Sequence, residues 1–244
     1  MILRRFMEHI KDQNWFAVGL DVIVVIVGIF LGMQVQQWYE EQTEKNRIAA
    51  QLLSFRNELV LSLDNLADRQ AYYEARIANV AELRMKLENG EPFVVDDFNR
   101  LMMDSIRGGR LNVVFRGYDE MAATGAISKV GDEHLRNALY EWDLILSTIR
   151  NIDERFEDTR ETILLPIVLE SVAIGNAFQS DERYQDFSIT SRFDFDLEDI
   201  RSNRKFDNAL ATRHVHATVQ RKLLLDFITT TNNLIVLLKE QSPK

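Results

Sequence analysis

The stretch WFAVGLDVIVVIVGIFLGMQVQQW, residues 15–38, decides how this chain is organised. No polar side chain lies between Val22 and Met33, and Asp21 is the only charged residue from Trp15 to Met33. An α-helix rises about 1.5 Å per residue, so residues 15–38 would span roughly 35 Å as a helix, enough to cross the hydrocarbon core of a bilayer. The stretch therefore predicts one membrane-spanning helix.

Aromatic residues stand at both ends of this stretch, at the depth where the two membrane interfaces are expected. Trp15 begins it, and Trp38 and Tyr39 close it, and such amphipathic rings prefer the headgroup level. A cleavable signal peptide is the main alternative, because basic residues precede the apolar run. No small-x-small cleavage site follows, since Met33 leads directly into Gln34. We therefore predict an uncleaved anchor with Trp15, Trp38 and Tyr39 as interfacial residues.

The charges on either side of the span predict its orientation. More basic residues lie before the span, at Arg4, Arg5 and Lys11, than in the first turns after it, at Lys45 and Arg47. The positive-inside rule then favours a cytoplasmic N-terminus. We expect a cytoplasmic head at residues 1–14, a transmembrane helix at 15–38 and an extracytoplasmic domain at 39–244. In a bacterium this is a single-pass inner-membrane protein with a periplasmic domain.

Three residues of the span share one helical face. At about 100° per residue, Asp21, Gly28 and Gly32 fall within a narrow sector. Gly28 and Gly32 form a GxxxG pair, which allows two helix backbones to approach closely. One interpretation is a helix-packing seam between chains that carries a protonatable carboxylate. The other is that the glycines are ordinary membrane-helix residues and that Asp21 reaches water near the interface.

The composition predicts an all-α protein. The chain has 244 residues, a net charge of −9, no cysteine, and only three prolines and ten glycines, which long helices tolerate poorly. Residues 39–244 are enough for one domain with its own core. The acidic balance argues against a nucleic-acid surface, which would require a basic face.

Apolar residues at three- and four-residue spacing predict helices beyond the span. The first continues from the membrane helix through Glu40–Leu87 and ends at Asn89-Gly90, with an imperfect seam that favours a bundle over an extended coiled coil. A short helix capped by Asp96-Asp97 runs to Ile106. Residues 111–115 are β-prone but isolated, which favours an extended connector over a sheet strand.

The rest of the chain shows four further helical regions. Tyr118–Thr124 is short and ends at Gly125, whereas Asp132 caps a long helix that Pro166 kinks or restarts. Apolar residues then predict one helix over 164–178, and the last long helix covers 205–240. Between them, residues 180–204 are the least ordered-looking part of the chain, with three possible pins into the core, Phe187, Phe193 and Phe195.

No catalytic or metal-binding motif stands out in the sequence. His214 and His216 would point about 200° apart on a helix and so make no metal pair. The acidic run at 194–199 lacks the spacing of a calcium loop and is expected to be a solvated loop. The sequence RGGR at 107–110 is either a turn between helices or an anion site made by backbone amides. We predict no enzymatic activity, cofactor or metal.

The span and the middle segment resemble a bacterial family of single-span membrane proteins that is known as a domain of unknown function. The first matching motif comprises Asp21, Val25, Gly28, Leu31, Gln34, Gln37, Trp38 and Glu40, with Asp21 replacing the usual Glu. The second comprises Tyr118, Met121, Thr124, Gly125, Ile127, Val130, Leu135, Arg136 and Leu139. The resemblance implies the same single-span topology and no particular chemistry.

The span alone is also similar to the single-span partner subunits of proton-driven motors. Leu20-Asp21-Val22 followed by an unbroken apolar run carries this likeness. In those subunits the membrane carboxylate carries protons beside a multi-span channel protein. The rest of this chain departs from their pattern, because it lacks their small α/β or peptidoglycan-binding domain.

These observations lead to one expected function and two alternatives. We expect a membrane-anchored helical interaction or scaffold protein, either oligomeric or an accessory subunit of a membrane complex. Its partners would be the lipid bilayer and a second copy or another membrane protein. The alternatives are a proton-coupled single-span subunit that uses Asp21, and an extracytoplasmic helical bundle that senses a ligand.

Overall fold

The protein is all-α. The computed structural model describes residues 15–179, 191–193 and 196–240, and these ranges contain no strand. The helices are α1 (Trp15–Glu88), α2 (Val95–Ile106), α3 (Arg116–Ala123), α4 (Glu133–Thr159), α5 (Leu165–Ser171), α6 (Ile174–Gln179), α7 (Leu197–Ser202) and α8 (Arg204–Glu240). A 3₁₀ turn at Ile127–Lys129 precedes α4, and a π-helical segment at Arg160–Leu164 joins α4 to α5. The predicted fold class is confirmed.

The chain divides into two compact units, Met1–Gln51 and Leu52–Lys244, and α1 contributes to both. The described residues of the first unit are helical throughout. In the second unit the remaining turns of α1 pack with α2–α8 as a helical bundle. The single long helix that the sequence predicts for the span and residues 40–87 is confirmed.

Two predicted glycine turns end helices as expected. Gly90 and Gly125 both have a φ of 69°, a left-handed conformation that glycine adopts at little cost. The amide of Glu91 donates to the Lys86 carbonyl at 3.2 Å, and the amide of Ala126 donates to the Met121 carbonyl at 2.9 Å. These bonds satisfy carbonyls that the helix ends would otherwise leave without donors.

Helix starts were predicted less well. The N-cap of α2 is Val94, so Asp96 and Asp97 do not cap the helix. They lie in its first turn, where their negative charges interact favourably with the positive end of the helix dipole. Helix α3 begins at Arg116, two residues before the predicted Tyr118. At α4 the prediction is confirmed, because the Asp132 carboxylate accepts from the Leu135 amide at 3.1 Å.

Pro166 changes the helix type and does not end the helix. Proline has no amide hydrogen and its ring crowds the carbonyl four residues earlier, and the π-helical segment directly before it widens the turn there. The predicted continuous helix over 164–178 is wrong. Val172 is extended and buried with Ala173, and this break separates α5 from α6.

The described part of the acidic run that was predicted to be a loop, residues 196–199, begins a helix. Asp196 caps α7 by accepting from the Glu198 amide at 2.8 Å. The negative charges of Glu198 and Asp199 in the first turn interact favourably with the positive end of the helix dipole. Phe193 is 63 % exposed, so its predicted role as a core pin is wrong. Phe187 and Phe195 lie outside the described residues.

Two apolar clusters fill the second unit. In one, α1, α2, α5 and α8 pack around Phe98, Leu101, Val168, Phe206 and Leu210. In the other, Trp142 of α4 is fully buried, and its ring centroid lies 4.7–5.4 Å from those of Phe55, Phe115, Tyr118 and Phe227. Along α1 and α8, the buried arginines Arg76 and Arg213 lie in sequence between the positions that feed these two clusters.

Candidate functional site

The apolar stretch of α1 has no protein cover within the described chain. Its large side chains from Leu20 to Val35 are 49–65 % exposed, and none of the most apolar 18-residue window is buried. Among the described residues, this is the one helix that is long and apolar enough to span a membrane. An apolar surface of this length requires a bilayer or a partner to remove it from water.

Asp21, Gly28 and Gly32 all lie within α1, as the span prediction requires. A β-carbon added at Gly28 or Gly32 would meet no atom within 4 Å, so neither glycine is needed for packing inside the described chain. The side chain of Asp21 lies outside the described residues. A packing seam between chains and a proton-handling role of Asp21 therefore stay predictions.

The three interfacial residues also lie on this helix. Trp38 and Tyr39 are each 66 % exposed, which leaves their rings free to meet a headgroup layer. Trp15 begins α1, and its side chain is not among the described ones. Their role as interfacial anchors stays a prediction.

The second unit carries an unexpected feature, a buried polar network of Tyr72, Arg76, Asp153, Arg213 and Gln220. These side chains come from α1, α4 and α8 and surround residues 107–115, which we call the connector. The connector joins α2 to α3 and has neither helical nor strand structure, as predicted. Buried backbone N–H and C=O groups need hydrogen-bond partners. The connector has no helical or strand pairing, so side chains supply several of these partners.

Arg213 binds the end of α2 and the start of the connector. It is 3 % exposed; its Nε donates to the Ser105 carbonyl at 2.9 Å, and its Nη2 donates to the Arg107 carbonyl. A cation at a helix C-terminus satisfies free carbonyls and opposes the dipole. Burial is the main cause that lowers the pKa of Arg213, to about 10.

Asp153 holds the middle of the connector. One carboxylate oxygen accepts from the Leu111 amide at 2.6 Å, and the other accepts from Gln220 Nε2 at 2.6 Å. Burial raises the pKa of Asp153, and these two hydrogen bonds oppose the rise. The carboxylate thus joins α4, α8 and the connector.

Tyr72 and Arg76 hold the glycine at the start of the connector. The Tyr72 hydroxyl donates to the Gly108 carbonyl at 2.7 Å, and Arg76 Nη2 donates to the same hydroxyl oxygen. Arg76 is only 2 % exposed, and its Nε and Nη1 have no hydrogen-bond partner among the described residues. Burial and three neighbouring arginines lower the pKa of Arg76 to about 8.

Gly108 and Gly109 permit this close approach. A β-carbon on Gly108 would lie 2.5 Å from a carboxylate oxygen of Glu157, and one on Gly109 would lie 2.9 Å from Arg69 Nη1. The two glycines therefore pass between charged side chains of α4 and α1. The RGGR sequence lies in the irregular connector between α2 and α3. Its interpretation as an anion site made by backbone amides stays a prediction.

A second close approach lies in the first turn of α3, directly after the connector. A β-carbon on Gly117 would lie 3.3 Å from Phe55 Cα, and the Gly117 amide donates to both carboxylate oxygens of Glu58, at 2.9 and 3.1 Å. The N-cap residue of α3 makes no side-chain hydrogen bond to the first amides of that helix. Glu58 of α1 accepts from one of these amides instead.

The histidines and acidic groups form no metal cluster within the described residues. His216 stacks on Phe156 with ring centroids 3.7 Å apart, and burial followed by the charge of Arg213 lowers its pKa. His216 is therefore a packing residue. His9 lies outside the described chain.

Sequence reasoning missed the buried polar network, although one signal for it is present. Asp153 follows Ile149 by four residues and Gln220 follows Ala217 by three, so polar residues occupy positions on apolar helix faces. A polar residue at such a position costs free energy unless it is hydrogen-bonded, so it predicts a buried partner. It does not identify the partner.

The fold and these contacts define an all-α helical bundle whose first helix contains a segment long enough to cross a membrane. No family model, no curated protein and no solved structure matches the chain. The two family resemblances therefore stay predictions, and the function is argued from the residues of the chain itself.

Proposed function

We propose that this protein is a membrane-anchored helical interaction module that assembles with itself or with another membrane protein. The observation that carries this proposal is the uncovered apolar stretch of α1, where side chains from Leu20 to Val35 are about half exposed or more. At roughly 25 cal/mol per Å² of apolar surface, leaving such a stretch in water is very unfavourable. A bilayer removes that cost.

The second unit supports a binding role over catalysis. Its buried charged groups bind backbone atoms of the connector, as Arg213 does at Arg107 and Asp153 does at Leu111. These hydrogen bonds hold the connector against the helices, which is a structural role. A module of this kind presents surfaces to a partner.

We propose a single-pass inner-membrane topology with the N-terminus in the cytoplasm and residues 39–244 in the periplasm of a bacterium. Support comes from the basic residues before the span, Arg4, Arg5 and Lys11. A reporter enzyme that is active only outside the cytoplasm, fused after residue 244, would be active. Activity only of a cytoplasmic reporter at that position would contradict the topology.

Membrane extraction tests the anchor itself. The full chain is expected to remain with membranes after alkaline carbonate treatment and to leave them only in detergent. Replacing Ile26 and Ile29 together by Arg places two charges near the centre of the span, at a cost of about 6 kcal/mol for insertion. This variant should lose most of its membrane fraction.

The matched control puts the same two charges elsewhere on α1. Val60 and Leu61 are exposed apolar residues of the second unit, 48 % and 76 % accessible. Val60→Arg with Leu61→Arg should keep the wild-type membrane fraction. Carbonate release of the wild type, or equal loss in both variants, would contradict the proposal.

A further inference from the structure

A cavity of about 570 Å³ lies beside the connector within the second unit. Helix α1 contributes Asn65, Asp68, Arg69 and Tyr72 to its lining, and the connector contributes Arg107 and the two glycines after it, among others. A cavity of this size can hold a small organic molecule. Its walls carry two guanidinium groups and one carboxylate.

Arg69 is the cation of this wall whose guanidinium N–H groups are unpaired within the described chain. Its guanidinium carbon lies 5.1 Å from the centroid of the Tyr72 ring, and it packs against Gly109. Within the described chain it makes neither a hydrogen bond nor a salt bridge. A guanidinium that is oriented by an aromatic ring keeps its N–H donors available for a planar oxyanion.

The other charges near the cavity leave the N–H donors of Arg69 unused. The Asp153 carboxylate attracts its charge, but both oxygens of that carboxylate already accept hydrogen bonds, from Leu111 and Gln220. Arg107 is within 3.4 Å of the Asp104 carboxylate, so its charge is already partly balanced. Asp68 also lines the cavity, but it is exposed to solvent, where a carboxylate is well hydrated and its field is screened.

Behind the cavity wall lies a second uncompensated cation. Arg76 contacts Tyr72 and Gly108, both of which line the cavity, and its Nε and Nη1 are buried without acceptors in the part of the chain that the structure describes. Its charge acts together with those of Arg69, Arg107 and Arg213. Of the nearby carboxylates, Glu157 is paired with Arg160, Asp104 with Arg107, and Asp153 accepts from the connector amide of Leu111. Buried charges act through a low dielectric, so this wall carries a positive potential.

We propose that this cavity binds a small oxyanion, a carboxylate or phosphate group, with the Arg69 guanidinium as its principal contact. Guanidinium groups bind both oxyanions through two parallel hydrogen bonds. The ligand brings the negative charge that the wall lacks, and it thereby links α1 to the connector. The site lies wholly in the second unit, so it does not depend on the proposed membrane anchor.

Thermal unfolding of the full chain in detergent tests the site. Sodium phosphate and sodium succinate are titrated separately against sodium chloride at constant ionic strength, and the emission of the buried Trp142 is followed. At least one of the two oxyanions is expected to raise the unfolding temperature by several degrees with a saturable dependence, because a ligand of the native state stabilises it. Saturation with either supports the site.

Two variants assign the effect to Arg69. Arg69→Gln should lose the saturable rise, and Arg69→Lys should bind roughly tenfold more weakly, because ammonium lacks the two-pronged geometry. The control Arg155→Gln removes the same charge from an exposed position of α4 and should behave as wild type.

Two outcomes would overturn the proposal. One is the absence of a saturable response of the wild type to both oxyanions, checked by isothermal titration calorimetry of the same sample. The other is an unchanged response in Arg69→Gln. Because calorimetry on the wild type needs no variant, the proposal stays testable even if Arg69→Gln fails to fold.

Discussion

Two regions of this molecule reverse the usual arrangement of polar and apolar residues. The stretch of α1 from Leu20 to Val35 exposes its apolar side chains, whereas the second unit buries Arg76, Asp153 and Arg213 at 2–3 % exposure. Soluble proteins normally do neither, since apolar residues are favoured inside and charges are almost never fully buried without partners.

The two regions resolve this reversal in different ways. Each apolar residue of the stretch is stabilised in a bilayer independently of its neighbours. The composition of the stretch is therefore enough to predict that a bilayer covers it. The buried charges depend on particular acceptors and donors at set distances, such as the carbonyl of Ser105 for Arg213 and the amide of Leu111 for Asp153. Small changes should therefore matter more in the buried polar network than in the stretch.

The largest loss of unfolding free energy is expected from replacing Arg213. Arg213→Met keeps the length of the side chain but leaves the carbonyls of Ser105 and Arg107 buried without this donor. We expect a loss of about 3 kcal/mol in the free energy of unfolding, measured by urea denaturation in detergent with Trp142 emission. Arg155→Met should change it by less than about 0.5 kcal/mol. Equal stabilities of the two variants would show that Arg213 does not hold the connector.

A somewhat smaller loss is expected from Asp153→Leu. This change leaves the Leu111 amide and the Gln220 side chain without an acceptor, at a cost of about 2 kcal/mol near neutral pH. Asp153→Asn should cost less, because its amide can pair with Gln220 Oε1, which has no partner among the described residues. An equal cost for both variants would contradict these hydrogen bonds.

The pH dependence of Asp153 has a defined sign. Its pKa is raised above the ordinary value of 3.8 by burial, so its protonated form is favoured in the folded state. The stabilisation from this group is fully present below the ordinary pKa and is lost as pH rises through the folded pKa. The stability of the wild type relative to Asp153→Asn should therefore increase on acidification from about pH 7 toward 4. A constant difference would exclude the raised pKa.

A moderate effect is expected at the contact between α1 and α3. Gly117→Ala places a methyl group 3.3 Å from Phe55 Cα, where backbone must shift, and should cost about 1–2 kcal/mol. The control is Gly131→Ala, because a β-carbon there meets nothing within 4 Å, and we expect no loss of stability. Denaturation of both variants under the same conditions separates crowding from the general effect of alanine.

The smallest effect on stability is expected in the stretch itself. Gly28→Ile with Gly32→Ile adds bulk where the described chain has no neighbours, so unfolding of the second unit should shift by less than about 0.5 kcal/mol. If these glycines form the proposed seam, the oligomer in detergent should become smaller by light scattering. An unchanged oligomer would exclude the seam. Asp21→Asn should leave membrane association and oligomer size intact, as for a structural anchor.

The sequence predicted those parts of the fold that depend on local chemistry. Gly90 and Gly125 end helices because the left-handed turn needs no tertiary partner, and Asp132 caps α4 through its own following amide. The break at Val172, the helix at Leu197–Ser202 and the exposure of Phe193 were not predicted, because burial and neighbouring elements decide them. The buried polar network was missed for the same reason.

By itself, the sequence determined that the protein is all-α and that one stretch suits a bilayer, because helix period and apolar content are properties of consecutive residues. Only the tertiary structure decided where its buried charges act. Asp153 and Gln220 are 67 positions apart and meet within 2.6 Å, and Arg213 reaches a carbonyl 108 positions away. Such pairings depend on how the helices of the bundle pack together, and residue spacing along the chain does not specify that packing.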